Sequence, residues 1–145
     1  MHVVIMGCGR VGATLAKDLE AKGHTVAVID QNREAFRRLG SDFKGTTVAG
    51  VGFDRDTLVE AGVERAAAFA AVSNGDNSNI LAARVARETY GVANVVARIY
   101  DPGRAEFING LEFQQWLLCF GQLIKLCDDF YLPGANLNGA MHLAQ

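Results

Sequence analysis

Residues 7–12 read GCGRVG and decide the fold, because they follow the apolar run His2–Met6 (HVVIM) without a gap. That run is short and rich in β-branched residues, which is typical of a strand buried on both faces. Residues 11–22 then carry apolar side chains at helical spacing. The three glycines therefore lie on a turn from strand to helix. At such a turn the first glycine permits the sharp bend, the second lets the backbone approach a pyrophosphate, and the third lets helix and strand pack closely.

The rest of the first 112 residues continues the alternation of strands and helices. Strands separated by helices predict an α/β fold with a Rossmann-like doubly wound parallel sheet and right-handed crossovers. Ligands of such sheets bind beyond the carboxyl ends of the strands, where the strand order reverses. The further strands are predicted at residues 25–29, 46–49, 67–72 and 95–99, and the further helices at residues 31–39, 54–61, 77–90 and 102–109.

Several residues predict details of these helices. Asp54 stands where an N-cap is expected. Gly23 and Gly91 follow the last apolar positions of two helices and are expected to end them. The predicted inner face of the helix at residues 77–90 consists of Ile80, Leu81, Val85 and Ala86.

Asp30 ends the second predicted strand, roughly 20 residues beyond the glycines, where dinucleotide-binding folds carry an acidic residue. A carboxylate at this place can accept hydrogen bonds from both ribose hydroxyls. It would repel a 2′-phosphate, so the sequence favours NAD or an adenosine nucleotide over NADP. The alternative is a glycine turn followed by an N-capping Asp, with no ligand.

Polar and aromatic residues also follow the other strands. Arg10, inside the glycine loop, could pair with a phosphate or could be a solvated surface residue. Phe53 could flank an adenine or belong to the core. The loop at residues 73–79 (SNGDNSN) could contact a ligand or could supply caps and turns for the next helix. Arg98 could reach a phosphate or a neighbouring subunit.

The composition bounds the class of protein. Half of the 145 residues are hydrophobic and 21% are charged, close to the globular averages of about 45–50% and 25%. The formal net charge of -2 provides no bulk positive field for nucleic acid. The three cysteines show no metal-ligand spacing, so we expect thiols in a reducing compartment and no metal site. The chain opens in a strand without a secretory signal, which predicts a cytoplasmic protein.

From residue 113 onward the composition changes, since the only charged residues there are Lys125, Asp128 and Asp129. We predict a nucleotide-binding domain at residues 1–112, an apolar C-terminal helical extension at residues 113–132 and a frayed tail at residues 133–145. The uncharged apolar stretch at residues 113–124 is shorter than the roughly 20 residues that span a bilayer, so no membrane insertion is expected.

No catalytic arrangement follows the predicted strands. The three histidines stand at the N-terminus (His2), in a turn (His24) and in the tail (His142), and none is placed to act as the acid in hydride transfer. No second domain that could hold a substrate is apparent. We therefore expect a protein that is not an enzyme; the alternative is a fragment of an NAD-dependent oxidoreductase.

Four segments in the same order resemble the potassium-transport nucleotide-binding domain, also called the RCK domain, of Trk-type potassium-uptake regulators. They are VVIMGCGRVGATLAKDL, HTVAVID, GFDRDTLVEAGVERAAAFAAVSNGDNSN and VVARIYDPGRAE. The resemblance implies a regulatory, non-enzymatic domain that binds NAD or NADH, or ATP/ADP. It further implies an assembly of at least two copies that acts on a membrane potassium transporter from the cytoplasmic face.

The resemblance also implies which residues hold the nucleotide. It assigns the phosphates to Gly7, Gly9, Arg10, Val11 and Gly12, and the ribose to Asp30. It places near the ligand Gln31, Asn32, Phe53, Ser73, Asn74, Asn79 and Arg98.

Overall fold

The computed structural model describes residues 1–99 and the backbone of residues 116–117. The strands are β1 (His2–Met6), β2 (Thr25–Asp30), β3 (Thr46–Ala49), β4 (Ala68–Ala71), β5 (Asn94–Ala97) and β6 (Trp116–Leu117). The α-helices are α1 (Arg10–Ala21), α2 (Arg55–Glu60) and α3 (Asp76–Arg84), and α3 continues as a π-helical turn at Val85–Thr89. Two 3-10 helices lie at Arg33–Leu39 and Val63–Arg65.

All described strands pair in parallel, in the order β3-β2-β1-β4-β5-β6. The chain begins in the middle of the sheet, builds outward through β2 and β3, and returns to β4 on the other side of β1. This order is that of a doubly wound nucleotide-binding sheet, so the predicted fold class is confirmed. The strand order reverses between β1 and β4, and a crevice is expected at their carboxyl ends.

The sheet is covered on both faces, which explains why β1 is continuously apolar. Val3 and Ile5 pack beneath α1 and the 3-10 helix Arg33–Leu39. Val4 and Met6 pack against α2 and α3 on the opposite face. The side chains of Val4 and Ile5 are completely buried. Two cores thus fix the sheet between two layers of helices.

The N-cap predicted at Asp54 is confirmed, because its Oδ2 accepts the Thr57 backbone N–H at 3.3 Å and the Thr57 hydroxyl at 3.1 Å. The short helix predicted at residues 31–39 is confirmed over Arg33–Leu39. The segment is a 3-10 helix that starts at Arg33, and Asn32 caps it by accepting the Glu34 N–H at 3.0 Å.

The inner face predicted for the helix at residues 77–90 is confirmed at Ala86, which is buried, and Val85 packs partly buried against the core. It was wrong at Leu81, which is 44% exposed, and it missed Asn79, Ala82 and Ala83, which turn inward. Small alanines let the helix approach the sheet closely, while the Asn79 amide is needed inside for the hydrogen bonds described below. The apolar pattern alone favoured the large side chain of Leu81 over its small neighbours Ala82 and Ala83, which are the buried residues.

Within the segment at residues 113–132, for which a helix is predicted, the structure describes only Trp116–Leu117, whose backbone forms β6 and pairs with Val96 and Ala97 of β5. Without β6, β5 would present a row of unpaired backbone groups at the sheet edge. The remaining predictions for residues 102–109, 113–132 and 133–145, and the cysteines Cys119 and Cys127, lie outside the described residues. Among the helices of the described segments, none has the length and apolar character required to cross a membrane.

Candidate functional site

A cleft of about 670 Å³ opens at the reversal point, beyond the carboxyl ends of the strands. Its volume is within the range of about 300–1,000 Å³ that small-molecule sites occupy. Residues that follow β1, β2, β3, β4 and β5 all line it. All but two of the residues that the sequence assigned to a ligand lie on this cleft, and the two exceptions are Gly12 and Asn79. The fold therefore collects into one place residues that are distant in the sequence.

The glycines of the loop at residues 7–12 have different structural roles. Gly7 has φ +110, and a Cβ there would lie 2.7 Å from the Ser73 backbone nitrogen. A Cβ on Gly12 would overlap the Gly7 carbonyl oxygen. Gly9 has φ -83, and a Cβ there would meet no protein atom within 4 Å. Gly7 and Gly12 are thus required by the fold, whereas only a ligand in the cleft would require Gly9 to lack a side chain.

Two helices begin at the cleft without side-chain caps. α1 starts at Arg10 with Gly9 as its N-cap, and α3 starts at Asp76 with Gly75 as its N-cap. The first backbone N–H groups of an uncapped helix lack partners in the helix, and the helix dipole makes this end positive. The first turn of α1 contains no acidic residue that would offset the dipole. The start of α1 is therefore suited to an anion such as a phosphate.

Asp30 connects the glycine loop to the end of β2. Its Oδ2 accepts the Cys8 backbone N–H at 2.7 Å and its Oδ1 accepts the Asn32 N–H at 2.8 Å. A carboxylate has about four acceptor sites, so these two bonds leave capacity for ribose hydroxyls. Asp30 does not cap the following helix, since Asn32 has that role.

The side chain of Cys8 fixes the same loop to the core on the α1 face of the sheet. Its side chain is fully buried, and its Sγ donates to the Ala35 carbonyl oxygen at 3.3 Å. Burial, reinforced by the negative charge of Asp30, raises the pKa of the Cys8 thiol to about 11. The thiol is therefore neutral at physiological pH and does not provide a nucleophile.

Asn79 lies behind the cleft and does not line it, although the sequence placed it near the ligand. Its Oδ1 accepts the Ser73 N–H at 2.9 Å and the Ser73 hydroxyl at 2.7 Å. Its Nδ2 donates to the carbonyl oxygens of Ser73 at 2.9 Å and Arg98 at 2.8 Å. The amide is completely buried, and it ties the loop after β4 to the residue that follows β5. Because all its bonds go to neighbouring loops, Asn79 positions the cleft wall.

Phe53 fits both interpretations offered by the sequence. It lines the cleft, and it also packs, partly buried, against the core on the α2 and α3 face. One side of the ring is therefore available to a ligand while the other is held by the protein.

The charges on the cleft are mostly positive, in a chain whose formal net charge is -2. Arg10, Arg38 and Arg98 line it, and Asp30 is the one acidic residue among the described lining residues. Guanidinium groups together with helix N-termini produce a local positive potential that attracts phosphates. Sequence reasoning missed Arg38, which lies eight residues beyond Asp30 on the short helix that follows β2. Within the described part of the chain, no three His, Cys, Asp or Glu side chains are grouped to hold a metal ion.

The sequence profile of the TrkA-N domain family matches residues 3–117. The chain belongs to the TrkA-N domain family. A similar curated relative is the Trk system potassium uptake protein TrkA of Streptomyces coelicolor, which is 72% identical over 106 residues, or 73% of this chain and 48% of that protein. The TrkA-N domain chain thus spans about half the length of the curated relatives that it matches.

Solved structures show the same fold as this TrkA-N domain. A Shewanella denitrificans Kef CTD in an AMP-bound form has a TM-score of 0.71 at 20% identity, covering 99% of this chain and 89% of that one. The GsuK channel bound to NAD has a TM-score of 0.65 at 21% identity, covering 79% of this chain and 20% of that one. At these identities the likeness establishes the fold alone.

Proposed function

We propose that this TrkA-N domain binds NAD(H) or ATP/ADP in the cleft and acts as the nucleotide-sensing part of a regulator of potassium uptake. The observation that carries the proposal is the contact between Asp30 and the glycine loop. Asp30 Oδ2 is held at 2.7 Å from the Cys8 nitrogen, directly beside the uncapped start of α1. A ribose on Asp30 would place its 5′-phosphates over Gly9 and the N-terminus of α1.

The ligands of two structural neighbours support an adenine nucleotide. One neighbour binds AMP and another binds NAD, and both ligands contain adenosine with a 5′-phosphate. Asp30, the glycine loop and Phe53 would recognise this shared part. The remainder of the ligand, nicotinamide or further phosphate, would extend toward the loop after β4, where Ser73 and Asn74 line the cleft.

The regulatory role rests on the names of the relatives, which are potassium uptake proteins. A nucleotide can regulate a transporter only if it binds two conformations of the regulator with different affinity. We propose that NADH and NAD⁺, or ATP and ADP, supply this difference and that an assembly of at least two copies transmits it to a membrane transporter from the cytoplasm.

The test is titration calorimetry of the purified chain with NAD⁺, NADH, ATP and ADP. Binding of at least one nucleotide is expected, together with its loss in Gly9→Ala, whose added Cβ meets no protein atom. A wild-type chain that binds none of the four would overturn the proposal.

The second candidate is an NAD-dependent oxidoreductase fragment, because this fold also hosts enzymes. Among the described residues, the cleft contains no His, Lys, Tyr or Glu, and both oxygens of its single carboxylate accept backbone N–H groups. The described lining residues thus include none of the His, Lys or Tyr side chains that commonly donate a proton to a carbonyl in hydride transfer. If the purified chain consumed NADH in the presence of any of a panel of carbonyl compounds, that result would favour the oxidoreductase over the regulator.

A further inference from the structure

A row of three residues extends one wall of the cleft beyond Asp30. Asn32, Ala35 and Arg38 all line the cleft, and they lie on the 3-10 helix Arg33–Leu39 and its N-cap. A 3-10 helix has three residues per turn, so positions three and six residues apart lie in one row. In an α-helix, at about 100° per residue, Arg38 would lie roughly 120° away from Asn32. The tighter helix is what brings Arg38 to the cleft.

Arg38 has no competing partner in the described part of the chain. No hydrogen bond or salt bridge there engages its guanidinium, and the residue is exposed. Its neighbour Arg37 differs, because Arg37 Nε bonds Glu34 Oε2 at 3.0 Å and the residue lies outside the cleft. The adjacent positions thus offer one engaged and one available guanidinium on the same short helix.

The charge of Arg38 acts at the glycine loop. At Cys8, the positive charge of Arg38 lowers the pKa of the thiol while the negative charge of Asp30 raises it. The charges of Arg38 and Asp30 are therefore both near enough to act on Cys8, and the oxygens of Asp30 are already engaged by backbone N–H groups. A guanidinium near this loop, unpaired with the carboxylate, suits an anionic ligand group.

We propose that Arg38 is a ligand-binding residue that pairs its guanidinium with a phosphoryl group of the nucleotide. The proposal rests on the nucleotide binding proposed above. A guanidinium presents a planar fork of donors that matches two phosphate oxygens, and such charge-assisted bonds are about twice as strong as neutral ones. Arg38 and Arg10 would then supply two cations to the phosphates from two different elements.

The experiment compares ADP with adenosine, which lacks the phosphates, on Arg38→Ala, Arg38→Lys and the matched control Arg37→Ala. ADP affinity is measured by calorimetry, and adenosine affinity by displacement of ADP. For Arg38→Ala we expect ADP binding weakened by roughly tenfold or more, with adenosine affinity unchanged. For Arg38→Lys we expect an ADP affinity between those of the wild type and Arg38→Ala, because lysine keeps the positive charge but lacks the planar fork of donors. Arg37→Ala is expected to bind as the wild type does.

Two results would overturn the proposal while leaving nucleotide binding intact. One is wild-type ADP affinity in Arg38→Ala. The other is an equal loss of ADP and adenosine affinity, which would place the guanidinium on the adenine face. If the wild-type chain binds no nucleotide, the proposed function itself fails, so the two failures are distinguishable.

Discussion

The Cys8 backbone N–H donates to Asp30 Oδ2 at 2.7 Å, so the loop after β1 is held by the last residue of β2. The same carboxylate receives the Asn32 N–H on its other oxygen at 2.8 Å. Asp30 thus holds the loop that forms the cleft and also lines the cleft itself. Substitutions at Asp30 therefore affect both the stability of the fold and the affinity for a nucleotide, and the two effects can be measured separately.

Asp30→Ala is expected to lower both the free energy of unfolding and nucleotide affinity. Two backbone N–H groups lose their acceptor: the Asn32 N–H is exposed and can bond water, whereas the Cys8 N–H is partly buried, and a donor left buried and unsatisfied costs about 1–3 kcal/mol. The ribose loses its acceptor as well. The control is Asp54→Ala, which removes an N-cap outside the cleft and should cost about 1 kcal/mol with unchanged affinity. Urea unfolding and calorimetry measure the two quantities, and wild-type affinity in Asp30→Ala would contradict the ribose assignment.

Gly9→Ala should mainly affect nucleotide binding, whereas Gly12→Ala should mainly affect the stability of the fold. Gly9→Ala is expected to lower the free energy of unfolding by about 1 kcal/mol or less, because Ala is a poorer N-cap than Gly, and to abolish nucleotide binding. Gly12→Ala should destabilise the fold severely, because its Cβ would overlap the Gly7 carbonyl oxygen. Thermal unfolding of the two variants without ligand measures the difference in stability. A strongly destabilised Gly9→Ala would contradict the proposal that the open space at Gly9 serves a ligand.

Asn79→Ala should destabilise the chain by about 2–3 kcal/mol, since a completely buried amide makes four hydrogen bonds to Ser73 and Arg98. The matched control is Asn74→Ala, an exposed residue of the same loop that lines the cleft. Its free energy of unfolding should stay at the wild-type value. Equal stability of the two variants in urea titrations would contradict the structural role of Asn79.

The raised pKa of Cys8 predicts a loss of stability at alkaline pH. The folded thiol keeps its proton to about pH 11, whereas the unfolded thiol releases it from the ordinary value of 9.0. Between these values the unfolded chain binds fewer protons, so the free energy of unfolding falls as pH rises. The contribution is fully present below pH 9. Because other groups titrate in this window, the measurement is the difference in slope between wild type and Cys8→Ala, and identical slopes would refute the assignment.

The sequence predicted those parts of the molecule that local patterns specify. Gly7, Gly9 and Asp30 belong to one strand–turn–helix–strand unit, so their spacing was sufficient to place them on the cleft. Arg38 was missed because a helix predicted without its type does not show which of its residues turn toward the cleft; the row of Asn32, Ala35 and Arg38 follows from the 3-10 helix seen in the structure. Asn79 was predicted to lie near the ligand, whereas its side chain bonds Ser73 and Arg98. Because Arg98 is distant in the sequence and only folding brings it close, this structural role could not be predicted from local patterns. The strand at Trp116–Leu117 was missed for a similar reason, since pairing at a sheet edge is a non-local event.

The Asn79 amide also connects the cleft wall to the outer strands of the sheet. One side chain holds Ser73 on the cleft wall and the carbonyl of Arg98, which follows Ala97 of β5. Ala97 in turn pairs with Leu117 in β6. The same elements are also joined by backbone bonds, since β4 pairs with β5 and the Arg98 N–H donates to the Ala71 carbonyl oxygen at 2.8 Å. The buried amide of Asn79 thus adds a side-chain link between the cleft wall and the strands that lead to the first described residues of the C-terminal stretch.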